Sequence, residues 1–197
     1  MEMKTVIAAA LVATSFSASA AGAEISDGCY TGGHETGVLE FSGAVEGSGF
    51  TGSFGEFAVT YCMGDAEPAD GKIEVSVELA TADTDNRERD QTLKDEEFFA
   101  VEQYPRATWN SLAMERDGGE YIADGELKLK GVRKAQTIRF TLEPDGQALV
   151  ARGEFTMQGG AEVDRQRFNV GTGEFADPEF VRNRVDVSFE VSLISDE

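Results

Sequence analysis

Few residues in this 197-residue chain are of types that carry out chemistry. The chain has a single histidine, His34, in a glycine-rich stretch, and two cysteines, Cys29 and Cys62. One histidine with two cysteines does not make a zinc site when the thiols are paired with each other, and no spaced His/Glu or Gly-x-Ser-x-Gly motif occurs in the sequence. We therefore interpret His34 as a loop residue, and we predict that the protein is not an enzyme and needs no cofactor or metal.

Acidic pairs are the other candidates for catalysis. Asp83 with Asp85, or Glu96 with Glu97, could act as a general acid and base. The chain has 37 acidic residues, however, so adjacent pairs arise by chance. We interpret both pairs as parts of a solvated surface.

The two cysteines favour a disulfide. An even number of cysteines in an exported protein is typical of paired thiols. If Val45 opposes Phe50 across a hairpin turn, Cys62 falls opposite position 33, close to Cys29. The alternative is that both are free, buried thiols.

The formal charge of −20 restricts the partners of the protein. Nucleic acids bind clusters of Lys and Arg, so we exclude them as partners. The same charge disfavours docking on anionic lipid headgroups. Its simplest explanation is solubility.

The N-terminus has the features of a signal peptide. Lys4 precedes an apolar run from Val6 through Ala13, and triplets of small residues end at Ala20 and Ala23. The run is much shorter than the ~20 residues that cross a bilayer. We predict a cleaved signal peptide over 1–23 and one exported domain over 24–197, without stable membrane insertion.

Alternation with a period of two residues dominates the exported part. Apolar residues alternate with polar ones over 73–79, 127–129, 138–142 and 185–193, and more loosely over 39–45. Successive side chains of a strand face opposite sides, so this pattern predicts half-buried antiparallel strands. Glycine-rich and Asp-Gly turns separate the runs. The sheet could close as a barrel or stack as a sandwich.

Residues 81–105 lack the alternation and are rich in charge. The segment Leu93–Phe99 is predicted to be a short helix, stopped by Tyr104-Pro105. It places Phe98 and Phe99 side by side, and we expect this pair to border the mouth of a tunnel.

Several motifs in order carry a family resemblance. The most specific stretch has Arg89-Asp90, then Leu93, then Phe98-Phe99 and Tyr104-Pro105 before Ala107-Thr108-Trp109. Further motifs are Gly125-x-Leu127 with Gly131-Val132, and Arg165-Gln166-Arg167-Phe168. With these motifs the chain resembles the YceI-like family over nearly all of its exported part. It departs at polar positions: Thr92 stands where the family often has His, Arg167 where it has Asp, and Asn169 where it has Gly.

The resemblance implies an all-β fold, namely an eight-stranded antiparallel lipocalin-like barrel with a short helical crossover. It also implies a periplasmic location and a long apolar ligand such as a polyisoprenoid, an isoprenoid quinone or a fatty-acid-like molecule. A homodimer is a further expectation. The ligand-contact residues expected on this basis are Phe41, Phe54, Phe57, Val75, Val77, Phe98, Phe99, Trp109, Phe140, Phe155, Arg165, Phe168 and Phe189.

Alternatives remain for several of these residues. Phe54 and Phe57 have opposite parity, so both face inward only if a bulge separates them, with Gly55 the expected place. Arg165 is either a headgroup contact or a structural residue, and we expect Asp90 to pair with an arginine that pins the crossover. The phenylalanines could also simply fill the core, which would make the barrel a stress-response or protein-interaction module without lipid.

Overall fold

The alternating segments form a closed sheet. A computed structural model of the protein describes residues 28–63, 67–145 and 153–195; the predicted signal peptide lies outside them. Among these residues there is one α-helix, α1 (Arg87–Lys94). The β segments of the same ranges are β1 (Cys29–Gly33), β2 (Gly37–Val45), β3 (Ser48–Phe54), β4 (Phe57–Cys62), β5 (Lys72–Glu78), β6 (Ala82–Asp83), β7 (Arg106–Asp117), β8 (Glu120–Leu129), β9 (Val132–Glu143), β10 (Glu154–Asp164) and β11 (Arg184–Ser195).

The 11 β segments of the described ranges make eight barrel strands. β1 and β2 follow one another along β11, and β3 and β4 form one strand interrupted at Gly55 and Glu56. β5 continues into β6 through the 3-10 turn Leu79–Thr81. Because β11 pairs with β10 on one side and with β1 and β2 on the other, the sheet closes. The predicted eight-stranded antiparallel barrel with a helical crossover is confirmed.

The disulfide between Cys29 and Cys62 is also confirmed. The register used to predict it was wrong, because Val45 opposes Ser48 rather than Phe50. The turn between β2 and β3 is tighter than expected, with positive φ at both Glu46 and Gly47. The interruptions within the two strands then shift the register, and Cys29 opposes Cys62 directly.

The helix lies earlier than predicted. α1 begins after Asn86, whose side chain accepts a hydrogen bond from Arg89 N at 3.0 Å. This N-cap satisfies a backbone N–H that the first helical turn leaves free. Residues 95–99 form turns, so Phe98 and Phe99 are not helical. In the described ranges no helix is both long enough and apolar enough to span a bilayer.

The two ends of the barrel differ in content. We call the end with the disulfide and the β7–β8 turn the lower end, and the end with α1 the upper end. Aromatic and aliphatic side chains fill the lower end: Tyr30, Tyr61, Ile73, Tyr121, Phe140, Leu142, Phe155 and Leu193 are all buried. A second cluster at the upper end contains Phe41, Leu79, Leu93, Phe98, Phe99 and Phe168.

Candidate ligand-binding cavity

An apolar cavity of about 240 Å³ occupies the interior between the filled lower end and the cover of the upper end. Of the residues predicted to contact a ligand, the structure places these in its lining: Phe41, Phe54, Phe57, Val75, Val77, Phe98, Phe99, Trp109, Arg165 and Phe189. The sequence therefore identified much of one continuous surface. Whether these residues contact a ligand stays a prediction.

Three predicted residues lie elsewhere. Phe140 and Phe155 face inward but pack in the lower core, below the cavity. Phe168 ends a 3-10 turn and is fully buried in the upper cluster. Alternation identifies the inner face of a strand, but it does not reveal how far along the barrel axis a residue lies.

Several inward side chains are only half-buried because they border the cavity. Val75, Val77, Val187 and Phe189 line the cavity and are of intermediate exposure, although they share the inner face with fully buried neighbours. In a packed core such residues would be covered on all sides. Here one side of each borders open space.

The expected irregularity at Gly55 is present. Gly55 N donates a hydrogen bond to Thr81 O at 3.1 Å, and Glu56 N donates to Thr81 Oγ1 at 3.1 Å. These bonds replace regular strand pairing where β3 becomes β4. Phe54 and Phe57 consequently both line the cavity despite their opposite parity.

Two crossovers cover the upper end of the cavity. Residues 84–105 contribute Leu93, Phe98 and Phe99, and residues 165–183 contribute Val170 and Val181. The Phe98 ring lies 5.0 Å from that of Phe175, so the crossovers pack against each other.

A single carbonyl joins the two crossovers. Glu97 O accepts hydrogen bonds from Gly171 N at 2.8 Å, Thr172 N at 3.0 Å and Lys130 Nζ at 3.1 Å. Lys130 Nζ also donates to Asn169 O at 2.9 Å. The turn between β8 and β9 is thereby tied to both crossovers.

Arg165 organises the second crossover. Its Nε donates to Arg182 O, one terminal nitrogen donates to Val170 O and Gly171 O, and the other donates to Phe175 O and Val181 O, at 2.7 to 3.1 Å. These contacts occupy all of its N–H groups, which favours the structural role over a headgroup contact. Ligand contact at Arg165 stays a prediction. Burial lowers the pKa of the Arg165 guanidinium, and the charge of Asp164 opposes this shift.

Asp90 is held by Thr84. The Asp90 carboxylate accepts hydrogen bonds from Thr84 N at 2.9 Å and Thr84 Oγ1 at 2.6 Å. Arg89 Nε donates to the same hydroxyl at 2.8 Å, and its guanidinium lies 4.4 Å from the centre of the Phe50 ring. The expected Asp90–arginine pair is therefore wrong, because Thr84 bridges the two groups. The contacts still pin α1 to the barrel.

The residues considered for catalysis are spread over the surface. His34 is exposed in the bend between β1 and β2, and both acidic pairs are exposed. Within the described ranges no three or more His, Cys, Asp or Glu side chains are grouped so as to hold a metal ion.

Sequence reasoning missed other lining residues. Phe50 lies near the start of β3, whose register was misjudged, while Leu127 and Leu129 were assigned to a strand but not to the site. Gln136 was missed because it is polar, although it has the same parity as Ile138 on β9. That parity was the available signal.

Fold and cavity together define a small closed antiparallel β-barrel with an apolar interior beneath a helical cover. The chain belongs to the YceI-like family, whose domain model matches residues 31–193.

Relatives of known sequence cover part of the chain. It is 30% identical over 118 residues to the UPF0312 protein plu2095 of Photorhabdus laumondii, which is 60% of this chain and 62% of that protein. It is 29% identical over 121 residues to Protein YceI of Escherichia coli O157:H7, or 61% of this chain and 63% of that protein. The matches thus span less than two thirds of each relative.

Solved structures show the same fold. Burkholderia cenocepacia BcnA superposes with a TM-score of 0.71 at 24% identity, over 79% of this chain and 95% of that one. A domain from Saccharophagus degradans described as polyisoprenoid binding superposes with a TM-score of 0.62 at 13% identity, over 85% and 98% of the respective chains.

Proposed function

We propose that the protein is a non-catalytic carrier that holds a long apolar lipid, such as a polyisoprenoid, an isoprenoid quinone or a fatty-acid-like molecule, inside the barrel. The observation that carries the proposal is the cavity of about 240 Å³, whose lining is almost wholly apolar. An apolar cavity of ~150 Å³ is already sufficient to bind benzene. The polyisoprenoid-binding description of the Saccharophagus domain supports the same ligand class.

Burial of the ligand supplies the affinity. Each buried CH₂ contributes about 0.8 kcal/mol, so a chain of about ten carbons gains roughly 8 kcal/mol before entropic costs. No charged partner is needed for affinity of this kind.

The alternative of a filled core describes only the lower end. There Tyr61, Tyr121 and Phe140 are fully buried against their neighbours. At the upper end, inward side chains such as Val77 and Val187 border open space, which favours the carrier over a module that acts only through its outer surface.

We further propose that residues 1–23 are a signal peptide and that 24–197 function in the periplasm. The Cys29–Cys62 disulfide supports an oxidising compartment. A homodimer is also proposed, from the family resemblance alone. Peptide mass spectrometry of the exported protein tests the cleavage of the signal peptide, and sedimentation analysis tests the homodimer.

Native mass spectrometry and solvent extraction of the purified protein test the carrier. We expect a co-purifying apolar molecule, or uptake of farnesol by the extracted protein. Absence of any bound molecule, together with failure to take up farnesol or a fatty-acyl chain, would refute the proposal.

The double variant Phe98→Ala/Phe99→Ala tests whether the cover retains the ligand. Both rings line the cavity, so occupancy should fall more than the melting temperature does. Phe168→Ala is the matched control, because Phe168 belongs to the same cluster but not to the lining. It should lower stability and leave the occupancy of the folded protein unchanged. The same pattern in the double variant would contradict the role given to Phe98 and Phe99.

A further inference from the structure

Gln136 interrupts the apolar lining of the cavity. It lies on the inner face of β9, only 9% exposed, one inward position from Ile138. The other polar side chains of the lining are Arg165 and Arg182. Because arginine carries no acceptor, Gln136 Oε1 is the one side-chain oxygen that the described lining residues offer to a bound molecule.

The backbone pairing between β9 and β10 stops before it reaches Gln136. Pairing between β9 and β10 ends at Arg139 opposite Gly160, although β9 begins at Val132 and β10 continues to Asp164. Gln136 Nε2 donates to Thr137 O and to Glu162 O, each at 3.0 Å. Its side chain thus connects the two strands where their backbone pairing stops.

These contacts fix the orientation of the carboxamide. Turning it over would set Oε1 against the carbonyl oxygens of Thr137 and Glu162, which is repulsive. Gln136 O accepts from Trp109 Nε1 at 2.9 Å, which holds the residue from the other side. In this arrangement Oε1 is buried and has no hydrogen-bond partner among the described residues. A buried acceptor without a partner is unfavourable, and a donor from a bound molecule would relieve it.

Three of the four lining residues that carry donors already use them; the fourth, Arg182, is exposed and donates to Arg184 O and to the Asp186 carboxylate. Both Nε2 protons of Gln136, the indole N–H of Trp109 and every N–H of Arg165 point at backbone carbonyls. A carbonyl or ether oxygen of a ligand therefore finds no donor at these three residues. A carboxylate would in addition lose its hydration in an apolar interior.

We propose that Gln136 is a specificity-determining residue that selects apolar chains carrying a hydroxyl group, such as a prenol or a fatty alcohol, with the ligand O–H donating to Gln136 Oε1. The inference rests on the proposed carrier function and adds the polarity of the ligand. It places the hydroxyl inside the barrel beside β9, beneath the cover.

Farnesol and farnesyl methyl ether test the proposal, since they differ only in the donor. The chain has one tryptophan, Trp109, which lines the cavity, so its fluorescence can report binding of each probe. We expect the native protein to bind farnesol about tenfold more tightly than the ether. Gln136→Met removes the carboxamide at similar length and should bind both probes with equal affinity. Gln158→Met, an exposed change on β10, should keep the preference.

Three outcomes overturn the inference. Equal affinity of the native protein for the two probes would refute the hydroxyl preference while leaving the carrier function intact. A preference that persists in Gln136→Met would remove Gln136 from its origin. Failure of all proteins to bind either probe would overturn this inference, and it would refute the carrier function as well if no apolar molecule co-purifies and no fatty-acyl chain is taken up. If Gln136→Met does not fold, the affinities of Gln136→Leu and of the native protein for farnesol and its methyl ether provide the same test.

Discussion

The two ends of the barrel are built from the same strands but fill their interiors differently. At the lower end, rings from several strands meet: Tyr30 and Tyr61 lie 5.0 and 5.9 Å from Phe155, and Tyr121 stacks on Phe140 at 5.4 Å. At the upper end Phe41, Phe50 and Phe54 also pack together, yet a cavity remains.

The difference is explained by where the upper rings lie. Phe50 opposes Gly43 and Phe41 opposes Gly52 across β2 and β3. A Cβ at Gly43 would come within 2.8 Å of the Phe50 ring, and one at Gly52 within 2.6 Å of the Phe41 ring. Each ring thus occupies space that a side chain on the opposite strand would take, and it lies along the wall. A comparable set of aromatic residues leaves the axis open in one half and blocks it in the other.

The sharpest test of this comparison is a pair of Phe→Ala substitutions. Phe155 is buried on all sides, so Phe155→Ala should cost about 3–5 kcal/mol of the free energy of unfolding. Phe54 already borders the cavity, and Phe54→Ala should cost only about 1–2 kcal/mol while weakening farnesol binding. Urea denaturation and fluorescence titration measure the two effects. Equal stability losses would show that the ends are packed alike.

Removing Arg165 should destabilise the upper end. Arg165→Met leaves five buried or half-buried carbonyls without their donor, and we expect a loss of about 3 kcal/mol. Arg165→Lys keeps the charge but lacks the planar fork, so it should recover only part of this loss. Thermal unfolding gives the values. Full recovery by lysine would indicate that charge alone matters.

Replacing both cysteines by serine should weaken the lower end and leave the cavity unchanged. The disulfide joins residues 33 apart in sequence, and its removal should cost about 2–3 kcal/mol. Cys29 and Cys62 are absent from the cavity lining, so farnesol affinity of the folded protein should stay the same. A changed affinity would show that the two ends are coupled.

The smallest effect concerns alkaline pH. Burial raises the pKa of Tyr61 and Tyr121 above their ordinary value of 10.0, and for Tyr121 a hydrogen bond to Asp145 adds to the shift. A raised folded-state pKa gives stability that is complete below pH ~10 and is lost as the pH rises towards the folded value, by at most about 1.4 kcal/mol per pH unit per tyrosine. Tyr61→Phe should flatten this loss. An unchanged slope in denaturation curves measured above pH 10 would contradict the assignment.

Much of this architecture follows from the sequence, because strand alternation is a local property. Val185 to Leu193 could be placed on one face of a strand from their spacing alone. Which inward residues meet across the barrel depends on contacts between distant parts of the chain. Phe140 and Phe189 both occupy inward positions of their strands, yet only Phe189 lines the cavity. The partners of Arg165 and Asp90 depend on how the crossovers fold, and periodicity carries no information about that.

Closure of the barrel joins the beginning of the domain to its end. Thr31 pairs with Ile194, and β2 pairs with the middle of β11. Proteins rich in contacts between distant parts of the chain fold slowly, in milliseconds to seconds for all-β domains, because loop entropy is lost before the contacts form. Until β11 docks, the edges of β1, β2 and β10 are unpaired and open to other chains. We therefore expect docking of β11 to be a slow step, during which the protein is prone to aggregate.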